Sequence, residues 1–591
     1  MSKLSLGERA GLARLMVDRG RRAAAANLLQ SPLLRWRYGA PIADQLLIVP
    51  QDLRTADPSV WSEINLGHFG LAGAVAVIDD GSPFTLKPPS RAWARELHGF
   101  GWLRHLDAAG TDAAKAKALS FALDWIDRHR VRGGVAWEPA VTGRRLISWI
   151  SHATLLLDGI DPKSYDLLAE SLGAQMVHLA AAWRNTPDGH QRLIALTALV
   201  LSDLCVANHD RQLDDAATLF GAEIERQILP DGGHVSRNPG TLVELLLDFL
   251  PLGQCFAARG REPPKALPAA IARMLPMVRY MRLGDGSIAR FNGMGTPQPD
   301  ALATVLAYDG RPGDVLAAAG ASRYVRLERG STILIADAGS PPPLRIAGQA
   351  HAGCLSFEMS AGTRAIFVNG GTPGPVDTHW HAASRATASH NTLCLNAKSS
   401  SRLVRNRILE SIVGAPPIRF PNKVSHKIGQ RDGGIELDMR HDGYIKHANL
   451  VHSRKLFLHE TGDQLDGIDR LEPGTGTQAA RDLPFAIHFH LAPDIACTPG
   501  AETNAADLEP GDGSVWRFHA QGAALAFEDS AYYADFSGPR RTLQMVLRAA
   551  CLGTSEVRWS LTRIKTPPPP QPAMPRTENR TKPPPLPRRK T

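Results

Sequence analysis

The hydrophobic period of this 591-residue chain changes once, near residues 309–322, and that change limits the fold more than any other feature. From about Thr111 to Met281 apolar residues recur at three-four spacing, the repeat of an amphipathic helix. AAKAKALSFALDWIDRHR, RRLISWISHATLLLDGI, YDLLAESLGAQMVHLAAAWRN, RLIALTALVLSDLCVA, AATLFGAEIERQIL and TLVELLLDFLPLGQCFAA all carry it, and Gly, Pro, Asp or Asn separate them. Six or more successive helices with short joins predict an antiparallel array. A curved double layer, an incomplete α/α toroid, is one closed way to bury all of their faces.

Beyond about Ser322 the apolar runs shorten and alternate. STILIADAG, CLSFEMS, RAIFVNGG, NTLCLN, GIELDMRH, RKLFLHE, FAIHFHLAP, ALAFED and TLQMVLRAA are rich in Val, Ile, Phe and Thr, which predicts an antiparallel β-sandwich. The expected organisation is α+β and multidomain: a mixed segment 1–110 packed on the first helices through Trp-containing stretches such as RAWARELHGFGWLRHL, a toroid over 111–315, and a sandwich over 322–564. Residues 565–591 form a basic, Pro-rich tail whose composition favours extended chain and cannot build a core.

That tail decides how the net charge of +9 is read. Its seven basic residues against one acid supply +6, so the remaining chain is close to neutral and gives no reason to expect nucleic acid. No apolar run reaches the length of a membrane span. Six cysteines lie apart with no CxxC pair, as buried apolar residues would. The N-terminal MSKLSLGERAGLARLMVDRGRRAAAANLL has the arginines of an export signal but neither a continuous apolar stretch nor a clear cleavage site. Nothing in the sequence encodes an oligomeric state.

Several local runs resemble the heparinase II/III family of polysaccharide lyases. GQAHAGCLSFEMSAGTRAIFVNGGTP (Gly348 to Pro373), ASHNTLCLN, HDGYIKHANLVHSRKLFLHETGDQLDGIDRL and FAIHFHLAP are similar to its C-terminal domain, and QILPDGGHVSRNP to a segment of its helical half. The similarity covers roughly residues 110–500. It implies cleavage of an acidic, uronate-containing polysaccharide by β-elimination. Such a reaction needs a group that neutralises the uronate carboxylate and a base for the weakly acidic C5 hydrogen. It also implies a cell-envelope or periplasmic setting, with the cytoplasm as the alternative in the absence of a readable signal.

Carried over one residue at a time, the resemblance places an Asn-His pair on Gly189 and His190, the base Tyr on Thr241, and the first His of an H-x-H on Gln349. It places the ligands of a zinc ion, the one candidate cofactor, on His351, Asn369 and His390, with Asn a weaker ligand than the family's Asp. The catalytic candidates are His190 and Gln349 from these positions, with His234 and Arg237 in DGGHVSRNP as candidates for a rearranged set. Asn238, Tyr280, Asn292 and Tyr444 are candidates for binding substrate, although Asn238-Pro239 also reads as a helix start. His379 and His381 would share one face if DTHWH were a strand, and His488 and His490 share a face by the same spacing. Loss of Asn, Tyr and His at three catalytic positions leaves a rival reading: a protein of this fold that binds or helps assemble a glycan without cleaving it. A glycoside hydrolase would need two opposed carboxylates, for which Asp231 and Glu358 are available.

Overall fold

The structure is a computed structural model. It describes every residue except 1–3, 31–42, 44, 79–80, 297–298, 311–315, 375–377, 405–408, 410–415, 475–481, 536–537, 552–554 and 568–591. Most of the tail thus lies outside the described residues.

The helical half begins with α1 (Leu6–Gln30), α2 (Ser59–Asn65), α3 (Arg91–Gly99) and α4 (Leu103–Ala109). The array proper is α5 (Asp112–Arg128), α6 (Pro139–Ser151), α7 (Ala153–Leu157), α8 (Pro162–Ala182), α9 (His190–Cys205), α10 (Asp210–Gln227), α11 (Gly240–Ala258), α12 (Ala266–Tyr280) and α13 (Pro299–Ala307). Helix α9 is its centre, packed against α6, α10 and α11, and every residue from Leu193 to Cys205 is buried. The 19 residues of α11 are apolar enough by composition to span a membrane, yet most are buried in this core. RRLISWISHATLLLDGI, read as one helix, divides into α6 and α7 at His152, whose Nδ1 lies 2.8 Å from Asp107. Phe100 of the segment before the array meets Trp125 and Trp149 edge-on, at ring separations of 6.2 and 5.4 Å.

The C-terminal half holds an antiparallel eight-stranded sheet and two four-stranded sheets, the latter joined by a bridge between Phe367 and Leu491. Strands Leu450–His459 and Gln464–Pro473 alternate buried and half-buried residues along most of their length, as the sequence period requires. Their buried leucines share one core with Phe357, Phe489, Phe518 and Trp559, so the sheets face each other as a sandwich. DTHWH does not form a strand. Thr378–Ser384 is a short helix, so the shared-face reading of His379 and His381 falls.

The seam between the halves is polar and tightly bonded. Arg237 donates to Ser322 O (2.9 Å), Ser340 O (3.0 Å) and Asp337 Oδ1 (2.6 Å). Asp231 accepts from the Ser322 N–H and hydroxyl at 2.6 and 2.9 Å. Away from this seam, α1 reaches the sandwich through Glu8, which lies 3.5 Å from Arg402 and 3.0 Å from Arg419.

Candidate functional site

His190 opens α9, and the turn before it is fixed by the end of α10. Gly189 has φ +95°, a conformation L residues rarely adopt, and a Cβ there would stand 3.3 Å from Ile346 of the sandwich half. The Asn of the family pattern therefore finds no relaxed backbone at this position. Gln227 Nε2 donates to Gly189 O at 3.0 Å and to Glu223 Oε1 at 2.5 Å, while its Oε1 lies 2.8 Å from His234 Nε2.

The Ser236 N–H donates to His234 Nδ1, so that nitrogen is the acceptor and Nε2 carries the proton given to Gln227. Burial first, and His190 nearby, push the His234 imidazole down to about 3. His234 is thus a neutral strut that holds the turn below His190. His190 itself has its affinity for protons lowered by burial, and its Nε2 has no hydrogen-bond partner among the described residues.

The remaining sequence candidates divide by availability. Gln349 is exposed and sits against Gly293 across the seam. Thr241 lies in the first turn of α11, 9% exposed. Asn238 Oδ1 accepts from Gly240 N at 2.9 Å and closes the turn into α11, as a helix-start residue does. Arg237, expected to meet substrate, is held by its three partners in the seam. Asn292 donates to Tyr324 Oη (3.0 Å) and Asp337 Oδ2 (3.3 Å) and accepts from His351 N. The Tyr280 hydroxyl donates to Tyr324 O at 3.3 Å and accepts from Arg326 N at 2.8 Å. Tyr444 is fully buried inside the sandwich and donates to Leu393 O at 2.6 Å. Burial pushes the Tyr280 and Tyr444 phenols upward, away from service as bases.

His351 and His390 do meet, Nδ1 to Nε2, at 2.9 Å. His390 Nδ1 faces Ala386 O and must carry a proton, so its Nε2 accepts from His351 Nδ1–H. His351 Nε2 is then left to accept from the Thr372 hydroxyl at 3.1 Å. Asn369, the third position of the expected zinc set, donates to Arg290 O and accepts from Asn391 N. All three candidate ligands thus have their donor atoms in protein hydrogen bonds. No group of three His, Cys, Asp or Glu suited to a metal occurs among the described residues. These residues do not fit a zinc ion. His488 and His490 bond Gln544 Oε1, Ser530 Oγ and Ala388 O, so cross-strand packing accounts for them. Asp231 and Glu358 do not oppose each other across a cleft: Asp231 binds Ser322, and Glu358 accepts from Arg290 N and Asn369 N.

One polar group was not singled out in the sequence. Below His190 the inner wall of the helical half carries Arg54, Arg144, Glu244 and Asp248, the four charges that act on its imidazole. Glu244 and Asp248 stand one turn apart on the otherwise apolar α11, and that pairing was the available signal.

Residues 311–560 match the sequence family described as heparinase II/III-like, C-terminal. FtsZ-localized protein C of Caulobacter vibrioides is 32% identical over 544 residues, which are 90% of this chain and 92% of that protein. Among solved structures, heparinase III superposes with a TM-score of 0.68 at 12% identity, over 94% of this chain and 92% of that one. Heparan sulfate lyase HepC from Pedobacter heparinus gives 0.58 at 15% identity, over 95% and 89%. Toroid and sandwich are therefore the architecture of these lyases, and the chain belongs to the heparinase II/III-like family.

Proposed function

We propose that this chain is a glycan-binding protein of the division site, one that keeps the lyase architecture and does not perform β-elimination. The observation that carries this reading is the state of the acid-base groups along the seam. His234, His351 and His390 have both nitrogens engaged in internal hydrogen bonds, and the position expected to hold a phenolic base is Thr241. Elimination needs a base free to take a proton and a group to neutralise the uronate. Of the sequence candidates for chemistry, His190 keeps a nitrogen without a partner among the described residues and Gln349 is exposed, and neither is a cation at neutral pH. The division site is supported by the identity with FtsZ-localized protein C along 92% of its length.

A second reading rests on one atom. The unpartnered Nε2 of His190 belongs to an imidazole kept neutral by burial, as a general base would be. Purified protein incubated with uronate polysaccharides, followed by ultraviolet absorbance of unsaturated product and by calorimetry, separates the two. Binding without product supports the proposal. Product that disappears in His190→Ala overturns it in favour of a lyase, and absence of both signals on every glycan overturns glycan binding.

A further inference from the structure

The wall below His190 carries three guanidiniums and three carboxylates matched to each other. Arg144 Nη1 and Nη2 grip Asp248 Oδ1 and Oδ2 at 2.8 and 2.9 Å. Arg54 donates to Asp248 Oδ1 at 2.7 Å and to Glu244 Oε2 at 3.3 Å, and Arg104 Nε to Asp52 Oδ2 at 3.0 Å. Burial alone would raise the Asp248 carboxyl, but Arg144 and Arg54 hold it well below the usual carboxylate range. Each guanidinium on the wall thus has a carboxylate within hydrogen-bond reach. The wall is only partly closed: the side chains of Arg54, Arg144 and Glu244 are 13%, 20% and 39% exposed. A small hollow lies beside Asp52, Arg54 and Asp248 and is closed on its other sides largely by Ile147, Leu201, Leu247 and Pro251.

We infer that this wall takes a neutral, hydroxyl-rich glycan rather than a uronate. The inference rests on the glycan-binding reading of the same site. A uronate carboxylate needs a cation whose charge is not already met. Here every guanidinium on the wall has its carboxylate, and a further anion would stand beside Asp248 and Glu244 and be repelled. A sugar hydroxyl both donates and accepts, so it can give its proton to a carboxylate lone pair and receive one from a neighbouring guanidinium. Arg345 is exposed on the rim beside Ile346, where solvent screens its charge.

The test is a calorimetric panel on the full chain, with dextran and chitin oligosaccharides as neutral probes and alginate and polygalacturonate as uronate probes, at low and high salt. The expected result is binding of a neutral probe that salt leaves unchanged, with uronate probes weaker by about tenfold or more. Asp248→Asn uncovers Arg54 and Arg144 and is expected to gain uronate affinity about tenfold, lost again at high salt. Glu244→Gln, at a half-exposed position that folding tolerates, should shift preference the same way by a few-fold. Wild-type protein that binds uronate chains more tightly than neutral ones overturns this inference and leaves glycan binding standing. Failure to bind any probe overturns glycan binding itself.

Discussion

Each half of the molecule brings histidines to the seam: His234, His351 and His390 have both ring nitrogens bonded, while His190 keeps Nε2 without a partner among the described residues. From the helical half comes His190, with an unpartnered Nε2 above a wall of paired ions that remain partly exposed. From the sandwich come His351 and His390, buried at 4% and 1% exposure, with all four ring nitrogens in hydrogen bonds. The residues that resemble metal positions in the sandwich, His351, Asn369 and His390, tie the strands and loops of the seam together. A motif persists where its polar atoms have acquired structural partners, and that persistence says nothing about chemistry. The helical half keeps instead a partly exposed wall of paired charges near His190.

The largest expected effect tests whether burial governs both sets. Burial lowers His234 and His490 to about 3 and His390 and His178 to about 4. Each folded value lies below the ordinary one, so between the two the unfolded chain binds more protons. Stability is complete above about pH 6.5 and is lost as pH falls from there toward 4. Glu358, raised by burial to about 7, has the opposite sign, and its contribution fades as pH rises through 7. Burial raises Glu96 and Asp203 in the same sense, but the imidazoles it lowers are more numerous than these three carboxyls. Thermal melts followed by near-ultraviolet circular dichroism should show a much lower transition at pH 5 than at pH 7, in both halves at once. An unchanged transition would mean that water reaches these imidazoles, and the contrast with His190 would vanish.

Next in size is Arg237, which belongs to the helical half but is bonded wholly to the sandwich. Arg237→Ala leaves Asp337 buried without its cation and two carbonyls without donors, a loss of about 3–5 kcal/mol. Urea titration measures it. Arg237→Lys should fall between, because one ammonium cannot reach Ser322 O, Ser340 O and Asp337 together. A loss below about 1 kcal/mol would place Arg237 with exposed ion pairs and free it for a ligand.

Most of the fold was legible because period reports burial directly. Leu450–His459 reads as a strand and His190–Cys205 as a helix from their apolar spacing alone. The exceptions are local. His152 breaks a helix through a contact with Asp107, 45 residues away, and Thr378–Ser384 is helical where its spacing also permitted a strand. The site was legible only in part, for a different reason. Spacing places His351 and Tyr444 near the right strands but cannot show whether their polar atoms face a ligand or a backbone carbonyl. The Arg54–Asp248 pair joins residues 194 apart, so no local pattern marks it.

The smallest effect is the sharpest comparison. His351→Ala removes a donor to His390 Nε2 and an acceptor for Thr372, both in the buried seam. Unpaired buried groups of this kind cost about 1–3 kcal/mol. His190→Ala removes a side chain whose Nε2 has no partner, and the helix-start turn is held by Gly189 and Gln227 without it. Its stability should stay within about 0.5 kcal/mol of the parent, as at positions that carry no such bond. Denaturant titration of both variants beside calorimetry with a neutral glycan then separates the roles: His351→Ala weakens the fold, while His190→Ala leaves the fold and weakens binding. If His190→Ala proved the more destabilising of the two, His190 would join the sandwich histidines as a structural residue, and the open position at the start of α9 would be lost.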